Sequence, residues 1–239
     1  MQLLETILLE PGKGFYLLDY HLDRLLTSAQ YFKGVDGGFN RVPTADEIKA
    51  KLQHDIPQKN GPQRIRLLVN SDGEIELQHT PLSELPPLSN INDKADTRKP
   101  LLVALDVQPT ESQSPYVLNK TTQRDLYNTA RDRLKCDFHA GEIGREENTF
   151  DVLLFNQNGE ITETSIANIA VEKEPGTWIT PSVECGLLPG VFRRHLLETG
   201  QVQEGVIHVD DLKSKRGLPP RIRCFNSVRK VYDVRLLIP

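Results

Sequence analysis

Residues 85–100 read LPPLSNINDKADTRKP: two prolines in tandem, then Ser, Asn and mixed charges, with little that could pack. Such a stretch interrupts regular structure, because proline removes a backbone donor and fixes its own φ. It divides the 239 residues into two segments, each of which needs its own buried apolar layer. We expect an N-terminal domain over 1–86, a linker over 87–100 and a C-terminal domain over 101–239.

The first segment mixes two periodicities. Residues 3–9 form an apolar run broken by Pro11 and Gly12, which predicts a strand. Over 19–33, Leu22, Leu25, Leu26 and Ala29 recur at helical spacing, with Asp23 and Arg24 on the polar flank. Residues 34–42 are turn-rich. Thr44-Ala45-Asp46-Glu47 is a capping box opening a helix to about His54. Residues 64–69 and 74–79 flank Asn70-Ser71-Asp72-Gly73 as a hairpin. In the second segment a strand at 101–107 precedes a helix at 122–134. Strands follow at 151–155, 160–164, 168–171 and 177–180, then a helix from Leu188-Pro189-Gly190 to about Leu197, and strands at 221–225 and 232–237. Strands and helices without strict alternation predict an α+β class.

Bulk properties narrow the function. Hydrophobic residues at 38% and charged residues at 26% are those of a folded globule. The net charge of −4 lacks the basic excess of a nucleic-acid binder. No apolar run approaches the ~20 residues of a membrane span, and MQLLETILLEPGKG has no secretory n-region or h-region. Cys136, Cys185 and Cys224 are odd in number and far apart, as in a reducing cytosol. Without CxxC or HExxH spacing, no metal is expected. The three cysteines and His195 are read as packing or surface residues.

Taken singly, Lys120, Glu163, Arg24 and the Leu188-Pro189-Gly190-Val191 turn are ordinary features, since exposed charged residues are the normal case. Their order is not ordinary. His21-Leu22-Asp23-Arg24-Leu25 with Ser28-Ala29 has the form HxxRLxxSA. Lys120-Thr121-Thr122-Gln123-Arg124, with Tyr127 and Ala130-Arg131, has the form KTTxRxxYxxAR. After these come residues 158–169 (NGEITETSIANI), Thr180-Pro181 with 186–193 (GLLPGVFR), and Asn226-Ser227-Val228-Arg229. Together these five segments resemble the class IV aminotransferases, the fold-type-IV enzymes of pyridoxal 5'-phosphate (PLP), from residue 21 to residue 229.

The resemblance implies a small N-terminal α+β domain, a larger C-terminal pseudo-barrel domain, and PLP as cofactor. It makes Lys120 the catalytic lysine, supplying the amine that the cofactor's aldehyde requires and then moving the substrate's proton. It makes Glu163 the carboxylate that keeps the pyridine nitrogen protonated. Arg24 would hold the phosphate, together with Leu188, Val191 and Phe192 at a helix N-terminus and Ser227 in the late turn.

Three departures accompany it. Lys230 stands where the family often has glycine, Asn119 precedes the lysine where relatives often have histidine, and the chain starts about one strand pair late. The KTTxRxxYxxAR form and the short start imply the lyase branch, which converts 4-amino-4-deoxychorismate to 4-aminobenzoate and pyruvate in folate precursor synthesis. The alternatives are an aminotransferase for branched-chain, D- or other amino acids, and a non-catalytic relative kept as a binding protein. The retention of both Lys120 and Glu163 argues against the last. The resemblance also implies a homodimer acting on a small molecule, and the cysteine usage an expected cytoplasmic location.

Overall fold

A computed structural model of the chain describes residues 1–35, 38–57, 61–94, 98–142, 144–213 and 220–238. Positions 36–37 of the expected turn-rich loop and 95–97 of the expected linker lie outside the described residues. The chain forms two compact units. One contains Met1–Pro86 with Asn119–Gln123, and the other Pro87–Leu118 with Arg124–Pro239.

The first unit runs β1 (Leu3–Glu10), β2 (Gly14–Phe15), α1 (Leu18–Lys33), α2 (Ala45–Asp55), β3 (Gln63–Val69) and β4 (Ile75–Pro81). Its sheet is antiparallel, in the order β2-β1-β3-β4. Strand alternation places Leu3, Ile7 and Leu9 in one row. They share a core with Ile65, Leu67 and Val69 of β3, Leu22, Leu25, Ala29 and Phe32 of α1, and Ile48 and Leu52 of α2. The capping box forms in both directions: the Glu47 amide donates to Thr44 Oγ1 at 3.2 Å, and the Thr44 amide to Glu47 Oε2 at 2.7 Å. Such a cap is worth about 1 kcal/mol.

The second unit contains β5 (Leu101–Leu105), α3 (Pro115–Leu118), α4 (Asp125–Arg133), β6 (Thr149–Phe155), β7 (Ile161–Thr164), β8 (Asn168–Glu174), β9 (Thr177–Pro181), α5 (Val191–Glu198), β10 (Gln203–Gly205), β11 (Ile222–Asn226) and β12 (Lys230–Leu237). Its sheet runs β10-β9-β8-β11-β12-β5-β6-β7, with parallel pairs at β10–β9, β12–β5 and β5–β6. Only Ser165, Ile166 and Ala167 separate β7 from β8, yet these strands stand five steps apart in the sheet. Five flat steps would span roughly 24 Å, and the connection reaches at most about 14 Å. The sheet therefore curls, bringing β7 back toward β8, and a bond of 2.8 Å from the Thr164 amide to the Ala167 carbonyl closes the turn. Val103, Phe150, Leu153, Ile161, Ile169, Ile222 and Cys224 fill its core. This arrangement of strands and helices is the α+β class expected from the sequence.

Three local differences have physical causes. The helix expected from Thr122 starts at Asp125. Ahead of it, the Thr122 amide bonds the Gln2 carbonyl at 2.9 Å, and Thr121 Oγ1 accepts from the Gln123 amide at 3.1 Å. Side-chain acceptors of this kind compete with helix formation. The described part of the stretch after Leu85 packs more than its composition suggests. Leu88 and Ile91 are buried, Arg223 Nη1 donates to the Ile91 carbonyl at 2.6 Å, and Trp178 Nε1 to Asn92 Oδ1 at 3.0 Å. Residues 203–205 (QEG) add β10 through backbone pairing alone, with no apolar alternation to announce it.

Candidate functional site

In the first unit, Glu5 occupies the same inward row of β1 as Leu3 and Ile7, and is 1% exposed. A carboxylate buried there requires charged or polar partners. Helix α1 supplies both from positions three residues apart, which share a face. Arg24 grips Glu5 with a fork, Nε to Oε1 at 2.8 Å and Nη2 to Oε2 at 2.5 Å, and His21 Nδ1 lies 2.6 Å from Oε2.

Burial pushes the Glu5 carboxyl upward. The Arg24 charge and the bonds from His21 and Arg24 outweigh that and bring it down to about 2. Burial lowers the His21 value against the opposing pull of Glu5. A neutral imidazole beside a carboxylate must carry its proton on Nδ1 to donate. Nε2 is then an acceptor, and among the described residues it is buried with no hydrogen-bond partner.

Lys120 is half-buried in the same unit. Its carbonyl accepts from the Leu4 amide at 2.9 Å, and Leu3 bridges Thr121, so the lysine follows the strand edge instead of opening a helix. Its charge is felt at His21.

The ion pair carries a stability prediction. Arg24→Ala leaves Glu5 buried without its counter-charge and is expected to cost about 3 kcal/mol. Adding Glu5→Gln should recover part of this. Because the folded carboxyl titrates at about 2 against 4.5 for the free group, the contribution is present above pH 4.5 and lost as pH falls toward 2. Thermal midpoints of the apo variants at pH 7 and pH 3 check this. Equal midpoints for wild type and Arg24→Ala at pH 7 would refute it.

In the second unit, Glu163 on β7 is 4% exposed. Its Oε1 accepts from Tyr127 Oη at 2.7 Å and from the Leu188 amide at 3.0 Å, and its Oε2 from Asn168 Nδ2 at 3.2 Å. Asn168 Nδ2 also donates to the Leu188 carbonyl at 3.0 Å, which fastens the 186–190 loop to β8. Gly190 permits this approach, since a Cβ there would stand 2.0 Å from Asn168 Oδ1. Helix α5 begins directly afterwards, its first bond running from the Arg194 amide to the Gly190 carbonyl at 2.9 Å. Amides of a first helical turn have no acceptor within the helix, and they face anions favourably. Val191 and Phe192 lie in that turn.

Ser227, 7% exposed, sits in the β11–β12 turn. Asn226 Oδ1 accepts there from the Val228 and Arg229 amides at 3.0 and 2.8 Å, and Asn226 Nδ2 donates to the Ile166 carbonyl at 3.2 Å. At the family's glycine position, Lys230 adopts φ +49°, the left-handed conformation that glycine enters without strain. Such a conformation costs a side-chain-bearing residue roughly 1–2 kcal/mol. The Lys230 ammonium lies 3.3 Å from Ser89 Oγ.

The structure thus gathers the expected residues into two sets. Arg24 and Lys120 are in the first unit, and Glu163, Leu188, Val191, Phe192 and Ser227 in the second. Glu5, His21, Tyr127 and Asn168 were given no role in the sequence reading. His21, Tyr127 and Asn168 sat inside the quoted motifs as unused signals. Glu5 carried none beyond its place in an apolar run.

Curled sheet, buried carboxylate and glycine-gated helix start define a recognisable class. The profile of the family described as "Amino-transferase class IV" matches residues 2–237, and the chain belongs to that family. It is an enzyme of a PLP-dependent family that acts on small molecules. A Schizosaccharomyces pombe protein named "Putative aminodeoxychorismate lyase" is 32% identical over 93% of this chain and 85% of its own length. The "Aminodeoxychorismate lyase" of Saccharomyces cerevisiae is 26% identical over 88% of this chain and 66% of its own length. A solved Mesorhizobium loti structure titled "Putative amino-acid aminotransferase" superposes with a TM-score of 0.75 at 28% identity, covering 99% of both chains. No helix among the described residues is long and apolar enough to cross a membrane.

Proposed function

We propose that this chain is a PLP-dependent 4-amino-4-deoxychorismate lyase that releases 4-aminobenzoate and pyruvate for folate precursor synthesis, as a homodimer in the cytoplasm. The likeness to the S. pombe protein, which extends over 93% of the chain, carries the choice of reaction. The donor set fits the cofactor. A buried carboxylate held by Tyr127, Asn168 and the Leu188 amide suits a protonated ring nitrogen, and the amides opening α5 suit a phosphate. When bound, PLP supplies an electron sink for the carbon next to the substrate's amine.

The chain's own residues do the rest. Lys120 anchors the cofactor through its amine, and once released takes the proton from the amine-bearing carbon. Glu163 keeps a proton on the ring nitrogen by lying ionised beside it. Arg24 and the α5 amides, with Ser227, hold the phosphate end and so fix the orientation of the ring.

A second reading, an amino-acid aminotransferase, is favoured by the full-length likeness to the M. loti structure. Both readings use the same cofactor residues, so they separate only on substrate. The deciding experiment incubates PLP-loaded protein with aminodeoxychorismate generated in situ and measures 4-aminobenzoate and pyruvate. Equimolar release of both is expected. If protein that binds PLP releases neither, while converting amino-acid and keto-acid pairs, the aminotransferase reading replaces the lyase.

A further inference from the structure

We infer that Tyr127 is a positioning residue for the ring-facing carboxylate: its buried hydroxyl, 2.7 Å from Glu163 Oε1, keeps Glu163 aimed and ionised. The inference deepens the proposed function and rests on Glu163 meeting the cofactor's ring nitrogen.

Three residues of the KTTxRxxYxxAR segment, Arg124, Tyr127 and Arg131, are spaced three and four apart and lie along one side of α4. All three engage β7 or the turn that follows it. Arg124 Nη2 donates to the Ser165 carbonyl at 2.6 Å, with its guanidinium 4.8 Å from the centre of the Tyr127 ring. Arg131 Nη1 donates to Ser165 Oγ at 3.1 Å and to Asp151 Oδ1 at 2.8 Å, and Ser165 Oγ donates to the same Asp151 oxygen at 2.5 Å. Tyr127 stands between these two arginines and reaches Glu163 itself. Its ring is packed with Ala130, Val152 and Leu154, so the hydroxyl has one direction to point.

The direction of donation is settled by chemistry. An ionised carboxylate accepts only, so the phenol gives the proton. Burial and the Glu163 charge hold that phenol well above its ordinary range, so it stays a donor at every working pH. Donation to an anion stabilises the anion and lowers its proton affinity. Glu163 paired with Tyr127 therefore leaves the shared proton on the ring nitrogen. Without Tyr127 the buried carboxylate draws that proton to itself. Arg124 is the charged group that bears on both members of this pair, and Asp151 and Arg131 act in turn on Arg124.

The test is Tyr127→Phe in the PLP-loaded protein, which keeps the ring in its packing and removes only the donor. A ring that has lost its charge withdraws fewer electrons, so the linkage at Lys120 keeps its proton to higher pH. The pH midpoint of the bound cofactor's visible absorption should rise by about one unit, with the apo protein still folded and its thermal midpoint lowered only by the loss of one buried hydrogen bond. In a Glu163→Gln background, adding Tyr127→Phe should shift nothing further, because the neutral amide has no charge to stabilise. A Tyr127→Phe titration superimposing on wild type, with cofactor bound, overturns the role of Tyr127 and leaves the proposed function standing. Wild-type protein that shows no cofactor absorption at excess PLP overturns both.

Discussion

Lys120→Ala should lose the cofactor's visible absorption band and more than about 10³-fold of turnover while remaining folded. The expectation of folding comes from how the segment is held. Backbone bonds secure it, from the Leu4 amide to the Lys120 carbonyl at 2.9 Å and from the Thr122 amide to the Gln2 carbonyl at 2.9 Å, and these survive truncation of the side chain. Circular dichroism and thermal midpoint report the fold, and absorbance and product release report the chemistry. Adding a small primary amine such as ethylamine should restore part of the turnover by moving the proton in place of Lys120. A variant that kept the band and the turnover would place the anchoring amine elsewhere in the chain.

The second large effect is expected at Glu163→Gln. Turnover should fall by about 10²–10³-fold with the cofactor still bound, because a neutral amide cannot hold a proton on the ring nitrogen, whereas the anchor and phosphate contacts are untouched. The amide oxygen can still accept from Tyr127 and the Leu188 amide. Its nitrogen, however, faces Asn168 Nδ2, which now donates to Glu163 Oε2 at 3.2 Å. Two donors facing each other should cost about 1 kcal/mol of stability, one hydrogen bond's worth. Equilibrium binding of PLP measured beside single-turnover rates separates the two effects. Wild-type rates in this variant would end the role assigned to Glu163.

Much was legible in the residues alone. Periodicity located both helices and the longer strands of the first unit, because burial on one face forces a period of two or of 3.6 wherever a segment is long enough to repeat. The capping box at Thr44 was readable because its two bonds span only three residues. The five ordered motifs pointed to the family.

Relations between distant residues were decided only by the tertiary structure. Glu5 looked like one polar interruption in an apolar strand. It is the partner of Arg24, nineteen residues away in sequence, because α1 packs across β1. Tyr127 and Glu163 are thirty-six residues apart, and they meet because the sheet curls and α4 packs beside β6 and β7. Lys230 showed a departure from the family pattern, and the fold alone shows the backbone keeping its left-handed turn, at φ +49°. Local propensity and side-chain type act over a few residues and are written in order along the chain. The partner of a buried charge is chosen by packing, which brings together residues that the order of the chain keeps apart.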